Sequence, residues 1–187
     1  MAAGQAAFAS HMTQTSEKPL IVVMGVAGSG KTTIASGLAE TFGVPFVEGD
    51  SLHPAANVKK MAAGIPLTDE DRWPWLEAIG ERMEVERVTG HGVVVSCSAL
   101  KHVYRDCLRK KVHGIVQFVL LDGSRELISN RMKQRKGHFM PPALLDSQFA
   151  TLEKPTADEH AVILDISHTV PALLAEAAKS VIPATAS

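Results

Sequence analysis

Apolar residues along this chain come in five short runs, separated by longer stretches in which apolar positions recur with helical spacing. The runs are Leu20 to Met24, Pro45 to Val47, Val93 to Cys97, Ile115 to Leu121 and His160 to Ile166. Short, continuous and partly β-branched, they suit strands covered on both faces. Helices are expected from Thr32 to Gly43, over 54–63, from Arg72 to Val88 and from His102 to Val112. Three more are expected from Arg125 to about Arg135, from Pro142 to Leu152 and from Thr169 to Val181. Gly43 reads as a helix stop. Thr68 and Asp71 have capping-box spacing, and Pro74 is expected in the first turn of its helix, where proline is tolerated. Strands alternating with helices predict an α/β domain, a five-stranded parallel sheet with helices on both faces.

The first strand runs into Gly25-Val26-Ala27-Gly28-Ser29-Gly30-Lys31-Thr32, followed by Thr33. This fits G-x-x-x-x-G-K-[ST], the phosphate-binding P-loop, in its proper strand-to-helix context. A triphosphate is polyanionic, and glycines let backbone N–H groups wrap it closely. The helix opening at the loop adds unpaired N–H groups and a partial positive charge. Lys31 is placed to reach the β- and γ-phosphates, and the Thr32 hydroxyl to ligate Mg²⁺. The loop predicts a nucleoside triphosphate as ligand.

Length and composition narrow the class. The chain has 187 residues, which suits a single domain, taken here as residues 19–182. At 45% hydrophobic it can fill a core, and a net charge of −1 gives no field favouring nucleic acid or membranes. Its two cysteines make no disulfide framework and fit a reducing cytoplasm. No apolar run approaches the ~20 residues of a membrane span. Residues 1–18 are small and polar and are expected to be disordered outside the fold, with Ser10-His11-Met12 resembling a cloning scar. The tail at 183–187 is expected to fray.

In open α/β sheets, functional groups gather past the carboxyl ends of the strands. Asp50, after the second strand, is so placed to meet the terminal phosphate or its acceptor; the bland alternative is a helix-capping aspartate. The third strand ends in Cys97-Ser98 where many P-loop proteins carry a Mg²⁺ aspartate, so Glu48 and Asp50, through water, are the nearest supports for the metal. Cys97 is expected to be a buried thiol. Lys101 and Arg105, one helical turn apart, are expected to face the cleft. Arg131 and Arg135 share a helix face ahead of Gly137 and Pro141-Pro142, which predicts a lid over residues 131–141 that closes on phosphates. Trp73 and Trp75 are expected in the core or a pocket wall.

These residues resemble the gluconate kinases of the small P-loop kinase type. The resemblance covers about residues 19–182 and rests on GVAGSGKT, EGDSLHPAANVKKMAAGIPLTDEDRWPWL, CSALKHVYRDCLR and RKGHFMPPALLDSQFATLEKP. It implies ATP-dependent phosphorylation of D-gluconate at the 6-hydroxyl, strand order 2-3-1-4-5, the lid and often a homodimer. The chain departs from the family pattern at Glu48, where relatives often have aspartate, and at Ala55 and Ala56, where they often carry basic residues. A gluconate site needs a cation for the carboxylate and small polar groups for the hydroxyls. Arg72, Arg105, Lys101, His53, Asn57, Ser98 and Gln148 are groups of the right kind, with arginine suited to a carboxylate. A kinase for shikimate or a nucleoside monophosphate is the nearest alternative, but the glycine triplet and Asp-x-Asp expected of a shikimate kinase are missing. A GTPase-like switch lacks its Asp-x-x-Gly and Asn-Lys-x-Asp.

Overall fold

The five apolar runs pair into one parallel sheet. In the computed structural model, which describes residues 18–134 and 142–181, the strands are β1 (Leu20–Met24), β2 (Phe46–Glu48), β3 (Val93–Ser96), β4 (Val116–Asp122) and β5 (Ala161–Asp165). Their order is β2-β3-β1-β4-β5, as the resemblance implied. Seven α-helices join them among the described residues: α1 (Lys31–Phe42), α2 (Ala55–Ala62), α3 (Asp69–Val88), α4 (His102–Lys111), α5 (Arg125–Gln134), α6 (Pro142–Thr151) and α7 (Val170–Ser180).

The central strand explains the two-layered core. Every residue of β1 is at most 2% exposed. Ile21 and Val23 face Ile34 and Leu38 of α1 and Leu173 and Ala177 of α7. Leu20, Val22 and Met24 face Trp75, Ile79 and Met83 of α3 and Tyr104 and Leu108 of α4. Each such buried side chain contributes roughly 1.5–3 kcal/mol, which fixes the sheet between two helical layers. Gly43 ends α1 in a left-handed conformation, its N–H donating to the Glu40 carbonyl.

One boundary differs from expectation. The helix expected from Arg72 starts at Asp69, because Thr68 and Asp71 form a reciprocal capping box: the Asp71 N–H donates to Thr68 Oγ1 at 3.3 Å and the Thr68 N–H to Asp71 Oδ2 at 2.9 Å. Pro74 is therefore the sixth residue of α3 rather than a first-turn residue, and the Glu70 carbonyl loses its helical N–H partner. No helix among the described residues is long and apolar enough to cross a membrane.

Candidate active site

The phosphate loop is built by backbone. Gly25, Gly28 and Gly30 take φ of 142°, 78° and 100°, values that only glycine adopts freely. At Gly28 a Cβ would also meet Met132 Cγ at 2.6 Å. Gly30 caps α1 without a side-chain hydrogen bond, which leaves the first-turn N–H groups for an anion. Ser29 Oγ is buried with no hydrogen-bond partner, a donor suited to a ligand that brings acceptors. Lys31 Nζ donates to the Val26 carbonyl at 3.1 Å. Burial pushes its pKa down, opposed first by Asp50 and also by Glu48.

Past the ends of β2 and β3 the side chains take over. Thr32 Oγ1 donates to Glu48 Oε2 at 2.8 Å, and the Ser96 hydroxyl donates to the other Glu48 oxygen. Asp50 sits in a 3₁₀ turn spanning Gly49–Leu52. That turn is pinned from two sides: Trp75 Nε1 donates to the Gly49 carbonyl at 2.8 Å, and a Cβ on Gly49 would strike the Ser96 carbonyl. A cavity of about 180 Å³ opens here. Its wall includes Ala27, Lys31, Asp50, His53, Arg72, Trp75, Ser98 and Gln148, so one cleft gathers the loop, the strand ends and α2, α3 and α6. Gln148 Oε1 accepts from the Ala27 N–H at 2.6 Å. Arg72 Nη1 donates to the Leu67 carbonyl at 2.5 Å and to Tyr104 Oη at 3.3 Å. Burial pushes the Cys97 thiol up to about 12, so it is the inert core thiol expected.

Three expected substrate groups are not brought to the cleft. Arg105 is fully buried. It donates to both carboxylate oxygens of Glu159 at 2.6 and 2.9 Å, and to the carbonyls of Ala99, Leu100 and Glu153. It is a structural residue: it braces the loop after β3, where Ala99 holds a left-handed φ of 39°. Such a conformation costs of order 1–3 kcal/mol. Burial pushes the Glu159 carboxyl up, but hydrogen bonds from Arg105, the Thr156 N–H, His102 and Arg109 overrule it and hold it well below the ordinary range. Lys101 is paired with Asp69 at 2.8 and 2.9 Å, outside the cavity wall. That bond, with a second from Tyr104, holds the Asp69 carboxyl low. Asn57 is buried under the wall and bonds to the Asp71 carbonyl.

The sequence also gave no notice of several wall residues. Leu144 and Ser147 of α6 and Ile65 to Leu67 line the cavity; only the neighbouring Gln148 signalled that α6 belongs to the site. On the far side of the P-loop a second cavity of about 250 Å³ is lined by Gly28, Ser29, Thr33, Arg131, Met132 and His168. Arg131 Nη2 donates to the Ile166 carbonyl at 2.6 Å. Nothing in the local sequence marked His168. Arg135 and residues 135–141 of the expected lid lie outside the described residues.

A family profile described as an AAA domain matches residues 20–155. The gluconokinase of Gluconobacter oxydans (strain 621H) is 52% identical over 150 residues, covering 80% of this chain and 84% of that protein. The thermosensitive gluconokinase of Escherichia coli (strain K12) is 50% identical over 151 residues, 80% of each chain. The solved structure of a gluconokinase from Sinorhizobium meliloti 1021 superposes with a TM-score of 0.80 at 49% identity, covering 88% of this chain and 91% of that one. Fold, phosphate loop and sequence agree: the chain belongs to the gluconokinase family of P-loop kinases.

Proposed function

We propose that this enzyme transfers the terminal phosphoryl group of ATP to the 6-hydroxyl of D-gluconate, giving 6-phospho-D-gluconate and ADP. The observation that carries the reading is one cavity whose wall includes the P-loop lysine, an exposed strand-end carboxylate and an arginine: Lys31, Asp50 and Arg72.

The loop from Gly25 to Thr33 binds the phosphates through N–H groups, and Lys31 neutralises charge on the transferring group. Asp50, with its side chain 69% exposed, accepts a hydrogen bond from the 6-hydroxyl, orients it in line and takes its proton. As the new O–P bond forms, the bond from phosphorus to the β–γ bridging oxygen breaks and ADP leaves. Positioning outweighs proton removal, because phosphoryl transfer is loose and the nucleophile needs little activation. Arg72 pairs with the sugar-acid carboxylate, and Ser98 and Gln148 face its hydroxyls. Thr32 and Glu48, 2.8 Å apart, suit Mg²⁺ in the manner of a site completed by substrate phosphates. When bound, Mg²⁺ supplies further neutralisation of phosphate charge. Among the described residues no group of three or more His, Cys, Asp or Glu forms a separate metal cluster.

The same reading makes the working form a cytoplasmic homodimer acting on a small sugar acid rather than on nucleic acid or membrane. Its support is the family membership and the net charge of −1. A coupled ADP assay over gluconate, other sugar acids, shikimate and AMP tests the reaction. Gluconate should give the fastest ATP- and Mg²⁺-dependent turnover. A panel in which gluconate matches buffer while shikimate or AMP is active would sink the proposal.

A further inference from the structure

The proposed chemistry assigns Asp50 a reaction step and His53 only a place on the wall; Asn57, one helical turn on, has none. Asn57 is 3% exposed. Its Nδ2 donates to the Asp71 carbonyl at 2.7 Å and lies 3.3 Å from His53 Nδ1. A backbone carbonyl only accepts, so the nitrogen of the Asn57 amide must face it. The second hydrogen on that nitrogen is then the one aimed at His53, and Nδ1 must be the acceptor. A neutral imidazole that accepts at Nδ1 carries its proton on Nε2. His53 Nε2 is 4.0 Å from Asp50 Oδ1.

The ring has little freedom to do otherwise. Its side chain is 4% exposed. It stacks on Trp75, with centroids 4.1 Å apart and planes 15° from parallel. The same tryptophan bonds to the carbonyl of Gly49, the residue before Asp50. One side chain thus fixes both the imidazole and the backbone of the turn that carries the carboxylate. Burial pushes the His53 pKa below its ordinary value, with Asp50 opposing and Arg72 adding to the shift. With Nδ1 accepting from Asn57, the ring carries its single proton on Nε2.

We infer that His53 is a positioning residue whose one proton sits on Nε2, aimed by Asn57 and Trp75 at the Asp50 carboxylate. Asp50 is exposed enough to rotate the short distance that closes the hydrogen bond. An N–H at that point occupies one carboxylate oxygen and turns the other toward the acceptor hydroxyl. A bare nitrogen there would repel the carboxylate. The inference rests on the reading of Asp50 as the group that receives that hydroxyl.

Nitrogen NMR of the full chain carrying ¹⁵N-histidine tests the tautomer at pH 7, with the His53 signals identified by their loss in His53→Gln. The Nε2–H form is expected. A proton on Nδ1, or on both nitrogens, overturns the inference. In kinetics, His53→Leu should lower kcat about tenfold, the scale of one hydrogen bond, with the KM for ATP unmoved. His53→Gln, whose amide nitrogen replaces Nε2, should restore most of it, and it carries the test if His53→Leu does not fold. In an Asp50→Ala background, which leaves Nε2–H no acceptor there, His53→Leu should cost nothing further, because its effect passes through that carboxylate. A second tenfold loss there overturns the positioning role and leaves Asp50 as proposed. Wild-type kcat in Asp50→Asn alone fells the Asp50 reading and the positioning role with it, while the tautomer result stands on its own.

Discussion

The two halves of the cleft are built from different material. The nucleotide half is backbone: three glycines with positive φ and the open first turn of α1. The acceptor half is side chains drawn from α2, α3, α6 and the ends of β2 and β3. A backbone site needs only its local sequence, so its residues can be named before the fold is known. A side-chain site depends on which distant elements meet, and the two arginines show the consequence. Arg72 reaches the cleft, whereas Arg105 is locked to Glu159, fifty-four residues away.

If the halves work as described, substitutions should separate by the constant they change. The largest effect is expected at Asp50, where they meet. Asp50→Asn should lose kcat by about 10²–10⁴, the range for general-base help, with little change in Mg²⁺ dependence. A variant that recovers its rate at saturating Mg²⁺ would make Asp50 a metal support instead. One that keeps wild-type kcat at ordinary Mg²⁺ would leave it without a part in the reaction.

Arg105→Ala should act on folding rather than on binding. Removing one partner of a buried ion pair costs about 3–5 kcal/mol, read as a lower urea midpoint, while the KM for gluconate of the folded fraction stays unchanged. The pH dependence has a defined sign. Glu159 holds its proton only well below its unfolded value of 4.5, so its contribution is present above that value and is lost as the pH falls through 4.5 toward the folded pKa. Wild-type stability should fall over that acid window, and the variant should lose part of this dependence. A raised KM with an unchanged midpoint would return Arg105 to the cleft.

Lys31→Ala should lower kcat by at least about a hundredfold, the scale for removing one preorganised donor to the transition state. Near-normal kcat would mean that the lysine does not reach the transferring phosphate. Arg72→Ala should raise the KM for gluconate by about ten- to more than a hundredfold, since a charged hydrogen bond is worth roughly 1.5–3 kcal/mol. Neutral polyols should be spared. An unchanged KM would move the search to Lys101, which would first have to leave Asp69.

Much of the frame was legible because it is periodic. Continuous apolar runs marked β1 and β4, and Gly43 marked the end of α1, all within a residue or two of the observed limits. The start of α3 was misplaced although its capping box was recognised, because Pro74 invited a later beginning. Strand order was not readable from periodicity; it came with the family resemblance. Arg105 was misread for a physical reason. Helical spacing from Lys101 suggests a shared face, but Lys101 is the extended residue before α4. No local pattern shows that Glu159 waits beneath Arg105. Trp75 was expected as core or pocket wall and is both, yet its bond to Gly49 and its stacking on His53 exist only in the folded chain.

The measurement closest to the central claim is the identity of the product. ATP and uniformly ¹³C-labelled gluconate can be followed by carbon and phosphorus NMR while ADP is counted. The account predicts one phosphorylated sugar acid per ADP, with phosphorus coupling at C6 and its neighbour C5 alone. Phosphate on another carbon, or ADP released without any phosphorylated sugar acid, would contradict it.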